Sequence, residues 1–438
     1  MIPDDGASRY ELKDSDHGDL FGIFLAVHAI PDALLLLHTT VGCKFKTQLH
    51  LVEHDWFRES HNQRLWTGVD DLRLIQGSGD RLVEFATTWY QRRKPAVFFV
   101  ATNAVIDLSA FDVEAAVESL RSKLPCPVIL LKAPGYDGGM ARGYERVVEA
   151  IAAMVDWDAA ADPAKVALAG YRFDRYEMDH VANLAEIRRL LRAMDLSIPA
   201  LMLSGEPLAT LRRAGEAGTV AMMPYARRIR PVLEARAGSR VLVDVDLPVG
   251  LTGSATFVRR LGSAAGVPAA RIEAILDKEL SRAVPLVEHA ARRLAGTSVA
   301  LFLDTAMAGA VAACLFEMGL EIPLVVLTDG DDGDEGRFRE TAERLGAEWT
   351  RPPRVVVGAS SDGGVRALAL ADAEGPVDLL VGSGIQTTFP MPTSRPRAVV
   401  QLGYPAVGKH ALYPMPWMGF NGAVALAQRF LDARHLAF

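Results

Sequence analysis

The chain has 438 residues, of which 50% are hydrophobic and 23% are charged, with a formal net charge of −7. This length predicts two or three domains rather than one core. The acidic balance argues against a nucleic acid as the main partner, and no apolar run approaches the roughly 20 residues of a membrane span.

Three cysteines lie far apart in the sequence, at Cys43, Cys126 and Cys314. An odd number of distant cysteines is not typical of a disulfide framework and indicates a reducing compartment. The first 19 residues are polar and acidic, without the basic and apolar regions of a signal peptide. We therefore expect a cytoplasmic protein.

Short apolar runs alternate with longer amphipathic runs along the chain, which is typical of βαβ units and parallel sheets. In the first part, the pattern predicts helices at Leu20–Ile30, Val113–Lys123 and Gly143–Met154, and strands at Leu34–Cys43, Leu72–Gly77, Ala96–Ala101 and Pro127–Lys132. After a predicted linker at Asp158–Lys165, it predicts strands at Val166–Ala169, Pro199–Leu203 and Arg240–Val245, and a helix at Leu184–Met194. The last part predicts strands at Val299–Leu303, Pro323–Leu327, Arg354–Val357, Asp378–Val381 and Ala398–Gln401, and helices at Ala306–Met318 and Ala423–Ala433.

These elements predict an α/β fold of three consecutive doubly wound, Rossmann-like domains with parallel sheets. We place an N-terminal domain that carries Cys43 at residues 1–160, a middle domain at 161–295 and a C-terminal domain at 296–438. No Walker A motif and no Gly-x-Gly-x-x-Gly turn follows a predicted strand, so we do not expect this chain to bind ATP.

The stretch Leu34–Cys43 is a short apolar run that ends at Gly42 and then presents a cysteine. Such a run predicts a strand buried on both faces, with the Cys43 thiol at the carboxyl edge of the sheet. Open α/β sheets bind ligands at this edge. The alternative is a small buried cysteine that closes a core strand. The same packing role is expected for Cys126 and Cys314.

Six stretches carry a family pattern in the same order along the chain: Val41-Gly-Cys43, Leu74–Leu82, Pro127–Tyr136, Asn183–Leu191, Leu379–Ile385 and Pro414–Gly422. Together they resemble the large subunits of nitrogenases and nitrogenase-like reductases, whose fold is also three α/β domains. In that family, three cysteines bind a cluster shared between subunits. Here only Cys43 matches, because the other positions fall near Asp16–Gly18 and at Asn103.

The resemblance therefore implies that Cys43 supplies one ligand to a four-iron iron–sulfur cluster, whose other ligands come from a homologous cysteine-rich large subunit. Asp16 or His17 could also reach the cluster or a substrate. This division of ligands resembles subunits of dark-operative protochlorophyllide reductase and chlorophyllide reductase. Lys44 and Lys46, beside Cys43, would stabilise a thiolate or be solvated.

The cofactor site of true nitrogenase needs a cysteine in the middle domain and a histidine near the end of the chain. The matching stretch Met222–Tyr225 has no cysteine, whereas His410 lies close to the histidine position. The resemblance thus argues against an iron–molybdenum cofactor here. His410 is a candidate catalytic residue in an organic-substrate cavity, or it caps a loop. His38 is another candidate proton donor.

The function implied by the resemblance is a catalytic-component subunit of an ATP-dependent two-component reductase. A separate P-loop iron protein would use ATP and donate electrons, and the large subunits would form a heterotetramer. The small-molecule substrate would be an unsaturated organic compound, with tetrapyrroles the favoured class. Two alternatives stay open: a scaffold subunit for metallocluster assembly, and a metal-free binding subunit of such a complex.

Overall fold

The computed structural model describes residues 18–40, 42, 64–109, 111–135, 139–171, 179–330, 333–358, 361–382, 398–403 and 413–436. Within these ranges, all paired strands run parallel and form sheets of four, three and five strands. The predicted α/β class with three successive parallel sheets is therefore confirmed. The domain limits at residues 160 and 295 stay predictions.

The first sheet has the strand order β2-β1-β3-β4. Its strands are β1 (Ala33–His38), β2 (Arg64–Trp66), β3 (Val97–Asn103) and β4 (Val128–Ala133), and the helices around it are α1 (Asp19–His28), α2 (Asp71–Gln76), α3 (Gly79–Arg93), α4 (Ala104–Asp107), α5 (Val113–Lys123) and α6 (Gly139–Met154). Leu35 and Leu37 of β1 pack in the core that contains α1 and α6, whereas Leu34 and Leu36 pack in the core that contains α3 and α5. The continuous apolar run of β1 is thus explained by helices on both faces of the sheet.

The second sheet has the order β5-β6-β7 and lies between the other two units. Its strands are β5 (Asp162–Ala169), β6 (Ala217–Met222) and β7 (Val241–Asp244), and the associated helices are α7 (His180–Ala193), α8 (Leu208–Arg212), α9 (Arg230–Glu234), α10 (Gly250–Ala264) and α11 (Ala269–Leu294), with 3₁₀ turns at Arg213–Glu216 and Pro224–Ile229. Ala167 and Val220 share a core with the first unit, whereas Leu168 and Ala221 share a core with the third. The middle sheet therefore joins both neighbours through its two faces.

The third sheet has the order β10-β9-β8-β11-β12, with its first strand in the centre. Its strands are β8 (Ser298–Leu303), β9 (Glu321–Leu327), β10 (Arg354–Val357), β11 (Leu379–Gly382) and β12 (Ala398–Gln401), and its helices are α12 (Thr305–Glu317), α13 (Asp334–Arg344), α14 (Ser361–Glu374) and α15 (Gly419–Leu436). The segment before α15 is held by the middle unit, because Asn183 Oδ1 of α7 accepts the backbone N–H groups of Trp417 and Met418 at 2.8 and 3.2 Å.

The predicted strand at Leu72–Gly77 is wrong, because Asp71–Gln76 forms the short helix α2. Asp70 caps this helix by accepting the backbone N–H of Arg73 at 2.9 Å, and none of the helical residues is buried. The true second strand, Arg64–Trp66, was not predicted. It is three residues long and lies at the edge of the sheet, where a mixed polar sequence is tolerated.

Two predictions around the second sheet also need correction. The predicted strand at Pro199–Leu203 lies beside β5 but forms only an isolated parallel bridge, between Leu168 and Leu201, and Leu203 has a φ of +59°. On its other side, β5 pairs with β6 (Ala217–Met222), which the sequence analysis missed. The predicted linker at Asp158–Lys165 is partly strand, because β5 begins at Asp162.

Candidate functional site

The first sheet has a topological switch point between its strands β1 and β3. From β1 the chain continues to β2 on one side, and β3 adds on the other side. In open α/β sheets, such a reversal leaves a ligand-binding crevice outside the carboxyl ends of the two central strands. β1 ends at His38, which pairs with Thr102, and β3 ends one residue later at Asn103. Cys43 follows β1, so its position along the chain suits this edge.

The predicted site residues Asp16, His17, Cys43 and His410 lie outside the described residues. The described residues that precede Cys43 in the chain lie at the edge of the sheet. After β1, Thr39 accepts the backbone N–H of Val69 at 3.0 Å, and Thr40 forms a parallel bridge with Val69. Gly42, directly before Cys43, is exposed. The described chain therefore follows the edge of the sheet as far as Thr40, three residues before Cys43 in the sequence.

Asn103 stands at one of the cysteine positions of the resemblance, and its side chain has a structural role. Its Oδ1 accepts the backbone N–H of Ile106 at 3.3 Å and caps helix α4. Thr102 beside it donates its hydroxyl to Asp107 at 3.0 Å. The end of β3 therefore presents the capped first turn of helix α4 to the crevice. Asn103 supplies no thiolate at this position.

The start of α1 meets the same sheet edge through the buried residue Asp19. Its Oδ2 accepts the N–H of Gly135, in the loop after β4, at 3.3 Å and pairs with Arg146 at 3.1 Å. Burial raises the pKa of the Asp19 carboxyl, although the Gly135 amide and Arg146 oppose the rise. This contact brings the chain that follows Asp16 and His17 to the edge where β1, β3 and β4 end.

The two described cysteines lie away from the switch point. Cys126 precedes β4 and therefore lies at the amino edge of the first sheet, where it is half-buried against the core of α3 and α5. Cys314 of α12 is buried in the core, and burial raises the pKa of its thiol well above the usual value. Both are packing residues, as the sequence predicted.

His38, a predicted proton-donor candidate, is fully buried at the end of β1. A hydrogen bond joins its Nε2 and Ser78 Oγ at 2.8 Å, and its ring lies 5.3 Å from that of Phe111. Burial, assisted by the nearby Arg81 cation, lowers the pKa of His38 to about 4. The imidazole is therefore neutral at pH 7, and it is not a proton donor in the imidazolium form there.

A second polar junction, which the sequence analysis did not identify, joins the carboxyl ends of the second and third sheets. The Tyr225 hydroxyl lies 2.8 Å from both carboxylate oxygens of Asp304, the residue that caps α12 through the Met307 N–H. The Tyr144 ring of α6 meets the Tyr225 ring at 6.5 Å, and its hydroxyl donates to the Tyr171 carbonyl at 2.9 Å. The Tyr144 ring of the first unit therefore contacts the Tyr225 side of this junction.

A family model described as nitrogenase component 1 type oxidoreductase matches residues 19–434. The chain belongs to this family. The resemblance drawn from the six sequence stretches is thereby confirmed. Among the described residues, no group of three or more histidine, cysteine, aspartate or glutamate side chains is arranged to hold a metal ion. No helix in the described ranges combines the length and apolar character needed to cross a membrane.

Similar proteins in the family include nitrogenase molybdenum-iron protein beta chains. The chain is 24% identical to that of Acidithiobacillus ferridurans, over 91% of this chain and 79% of the relative. It is 21% identical to the beta chain of Methanothermobacter thermautotrophicus, over 94% of this chain and 92% of the relative. It is 23% identical to the nitrogenase iron-molybdenum cofactor biosynthesis protein NifN of Bradyrhizobium diazoefficiens, over 68% of this chain and 66% of the relative.

A solved structure, nitrogenase Cp1 at pH 6.5, has the same fold. It superposes with a TM-score of 0.78 and 17% sequence identity, covering 97% of this chain and 93% of the solved one. The fold of the family therefore extends over nearly the whole chain.

The donor set of this chain does not fit an iron–molybdenum cofactor at the junction of the second and third sheets. The stretch Met222–Tyr225 stands where the resemblance places the cofactor cysteine. Met222 and Met223 are fully buried, and the Tyr225 hydroxyl is bonded to Asp304. This stretch therefore supplies no thiolate ligand, and its Tyr225 phenol is bonded to the Asp304 carboxylate.

Proposed function

We propose that this chain is a catalytic-component subunit of a nitrogenase-like, ATP-dependent two-component reductase. Cys43 would supply one ligand to a four-iron cluster shared with a homologous cysteine-rich subunit in a heterotetramer. A separate P-loop iron protein would use ATP and deliver electrons. The substrate would be an unsaturated organic molecule of the tetrapyrrole class, with His410 as a candidate proton donor.

The observation that carries this proposal is the distribution of the three cysteines over the fold. Cys43 follows β1 in the chain, whereas Cys126 lies at the amino edge of the first sheet and Cys314 is buried in α12. A four-iron cluster needs about four protein ligands. A single available thiolate fits a cluster completed by a partner, and it does not fit one held by this chain alone.

When bound, such a cluster would pass electrons one at a time at a potential set by its ligands, its burial and hydrogen bonds to its sulfurs. The residues of this chain would hold the ligand turn and exclude water. His38 and Thr102 lie in register at the end of the two central strands and are fully buried, so the base of the crevice is closed to solvent.

Exposed apolar side chains at the same sheet edge support a contact with the homologous subunit. Helix α2, which follows β2, exposes Leu72 and Ile75 by 60% and 83%. Helix α4, which follows β3, exposes Val105 and Leu108 by 44% and 88%. Exposed apolar side chains on two helices at one sheet edge favour an interaction surface there. A subunit covering this edge would also bury a cluster bound to Cys43.

The preference for a tetrapyrrole rests on the ligand count, because the single matching cysteine resembles the division of ligands in dark-operative protochlorophyllide reductase and chlorophyllide reductase. The stretch Met222–Tyr225 has no cysteine, which favours an organic molecule over a metal cofactor at this position.

The decisive experiment is anaerobic co-purification of the chain with its homologous subunit, followed by iron analysis and electron paramagnetic resonance. We expect a four-iron signal that is lost in Cys43→Ser and retained in the matched control Cys126→Ser. Substrate reduction with the iron protein and ATP completes the test. A complex that is colourless at every stage would contradict the proposal and favour a metal-free binding subunit.

A scaffold for metallocluster assembly is a second candidate, favoured by the similarity to the cofactor biosynthesis protein of Bradyrhizobium diazoefficiens. This function predicts transfer of the cluster to an acceptor protein without turnover of an organic substrate. Measuring both reactions on the same preparation separates the two functions.

A further inference from the structure

A cavity of about 550 Å³ lies between the first and middle units, at the sheet edge opposite the switch point. Its lining comes from Pro127 before β4, the end of α6 and the residues that follow it, Leu208 and Arg212 of α8, and Arg236 after α9. Because Pro127 and Asp158 shortly precede β4 and β5, the cavity lies near the amino ends of these strands. Its volume is in the range typical of small-molecule sites.

The walls of the cavity are held by contacts between the two units. Asp32 Oδ1, ahead of β1, accepts the backbone N–H of Leu208 at 2.9 Å, and the Arg212 carbonyl accepts the N–H of Asp156 at 3.1 Å. Helix α8 is therefore fixed at both of its ends. A Cβ at Gly215, shortly after α8, would overlap the Asp156 carbonyl, so the segment after α6 packs closely on this turn. A site with fixed walls loses little conformational entropy when a ligand binds.

The indole of Trp157 gives the cavity an oriented aromatic surface. Its Nε1–H donates to the Ala152 carbonyl at 2.8 Å, so the polar atom of the ring is used within the protein. The Arg240 guanidinium lies 5.4 Å from the ring centroid and is held in turn, because its Nη2 donates to the Ala159 carbonyl at 2.8 Å. The buried side chain of Val155 also belongs to the lining. An apolar group of a ligand would therefore leave water for an indole and an aliphatic side chain.

Four charged residues of both signs line the same cavity: Arg212, Arg236, Asp156 and Asp158. All four are exposed, and none of their side chains forms an ion pair or a hydrogen bond within the part of the chain that the structure describes. Arg213, the next residue along the chain, behaves differently, because its guanidinium pairs with Glu216 at 2.7 Å. Two guanidinium groups and two carboxylates of the lining are therefore left for a ligand.

We propose that this cavity binds a zwitterionic molecule with an apolar side chain, of the class of apolar amino acids and dipeptides. Arg212 and Arg236 receive its carboxylate. Asp156 and Asp158 receive its ammonium group, and its side chain packs on Trp157. A plain anion would meet the two carboxylates and a plain cation the two guanidinium groups, so the cavity disfavours both. This site is independent of the proposed cluster, and its ligand bridges the first and middle units.

The first test titrates the full-length chain with phenylalanine and with leucyl-phenylalanine in a calorimeter. Binding of either zwitterion supports the proposal, and the tighter one gives the size of the ligand. The N-acetyl derivative and the C-terminal amide of the same probe each lack one charge. We expect each of them to bind about five-fold more weakly, the upper end for one exposed ion pair. No binding of either zwitterion at millimolar concentration, or equal affinity for the charged and capped forms, would overturn the proposal.

Substitutions in the cavity show which charge of the ligand each side chain recognises. Arg212→Gln should weaken binding of the zwitterion about five-fold and leave binding of the amide, which has no carboxylate, unchanged. Asp158→Asn should weaken binding of the zwitterion similarly and leave binding of the N-acetyl form unchanged. Arg213→Gln is the matched control, because Arg213 pairs with Glu216 and does not line the cavity. Native affinity of both cavity variants for the zwitterion would show that it binds elsewhere.

Hydrogen exchange locates the bound ligand without any substitution. The ligand contacts both α8 and the segment after α6, so we expect slower exchange of the amides of residues 153–158 and 208–212 when the tighter zwitterion is added. The amides of α13, in the third unit, serve as the control and should exchange at an unchanged rate. Binding in the calorimeter without protection of either segment would contradict this site. A wild-type complex without iron would refute the proposed function and leave this result unaffected.

Discussion

The Tyr225 hydroxyl contacts both carboxylate oxygens of Asp304 at 2.8 Å and so joins the carboxyl end of β6 to the first turn of α12. The two residues follow strands of different sheets, β6 and β8, and Asp304 also caps its helix through the Met307 N–H. One carboxylate therefore orients a helix and holds two units of the fold together. The contact lies where nitrogenase would need a cysteine ligand, according to the sequence resemblance.

Replacing this hydroxyl should weaken the junction without altering the aromatic packing. Tyr225→Phe removes a hydrogen bond to a charged group, so we expect the free energy of unfolding to fall by about 1.5–3 kcal/mol. Urea denaturation followed by circular dichroism measures the change. Tyr413→Phe is a suitable control, because Tyr413 is 78% exposed. Equal stability of Tyr225→Phe and wild type would show that the contact contributes little.

Glu145 predicts a pH dependence of stability. Its carboxyl is buried, Oε2 has no hydrogen-bond partner among the described residues, and burial raises its pKa to about 7. Arg228 and Arg142, at 3.9 and 3.7 Å, oppose the rise, whereas Glu149 adds to it.

In the unfolded chain this carboxyl ionises near its ordinary pKa of about 4.3. Between this value and about 7, the unfolded chain releases a proton that the folded chain keeps. The free energy of unfolding therefore falls as the pH rises through this window and levels off above it.

The matched variant is Glu145→Gln, which resembles the protonated carboxyl. We expect it to be more stable relative to wild type at pH 8 than at pH 5, by about 2–3 kcal/mol. Urea denaturation at both pH values gives this difference directly. The measurement at pH 5 serves as the internal control. Parallel pH profiles for the two proteins would mean that the carboxyl ionises in the folded state as it does in the unfolded chain.

The close crossing of α1 and α6 makes Gly143 a sensitive position. A Cβ at Gly143 would overlap the Asp19 carbonyl of α1, and a Cβ at Gly22 would overlap the Met140 carbonyl of α6. Because the obstacles are backbone atoms, Gly143→Ala must push the helices apart, and we expect it to cost about 1–3 kcal/mol or more. Thermal denaturation should show a clear decrease in Tm.

Gly336 of α13 provides the opposite case for comparison. No atom lies within 4 Å of a Cβ added there. Gly336→Ala should therefore stabilise the protein by about 0.5–1 kcal/mol through helix propensity and reduced freedom of the unfolded chain. If both alanine variants lowered Tm equally, the close approach at Gly143 would not be the cause.

The sequence located the central strands well, because their burial on both faces leaves a pattern in the residues themselves. The predicted strands at Ala96–Ala101 and Val299–Leu303 coincide closely with β3 and β8. The edge strand Arg64–Trp66 has no such pattern, since it is short and half-buried. Leu72–Gly77 has a strand-like composition. It forms a helix whose first turn is stabilised by the Asp70 cap.

For the candidate site, the sequence could predict only which residues follow which strands. It could not predict contacts between residues that are distant along the chain. The sequence placed Cys43 after the first strand and Asn103 after the predicted strand Ala96–Ala101, and the strand order brings the ends of β1 and β3 together. It did not reveal the contact between Tyr225 and Asp304, which lie 79 residues apart and follow strands of different sheets. Nor did it reveal the bond between His38 and Ser78, which depends on how α3 packs beside β1.

The last prediction concerns Asn183, which holds the segment before α15 on the middle unit. Its Oδ1 is the acceptor for the N–H groups of Trp417 and Met418, and the residue is fully buried. Asn183→Ala leaves these two buried donors without that acceptor, so we expect a loss of about 2–4 kcal/mol. Val181→Ala on the same helix is the control, because Val181 is 59% exposed. Hydrogen exchange should localise the effect, with faster exchange of the Trp417 and Met418 amides in Asn183→Ala. Native protection of these amides in that variant would show that other contacts hold the segment.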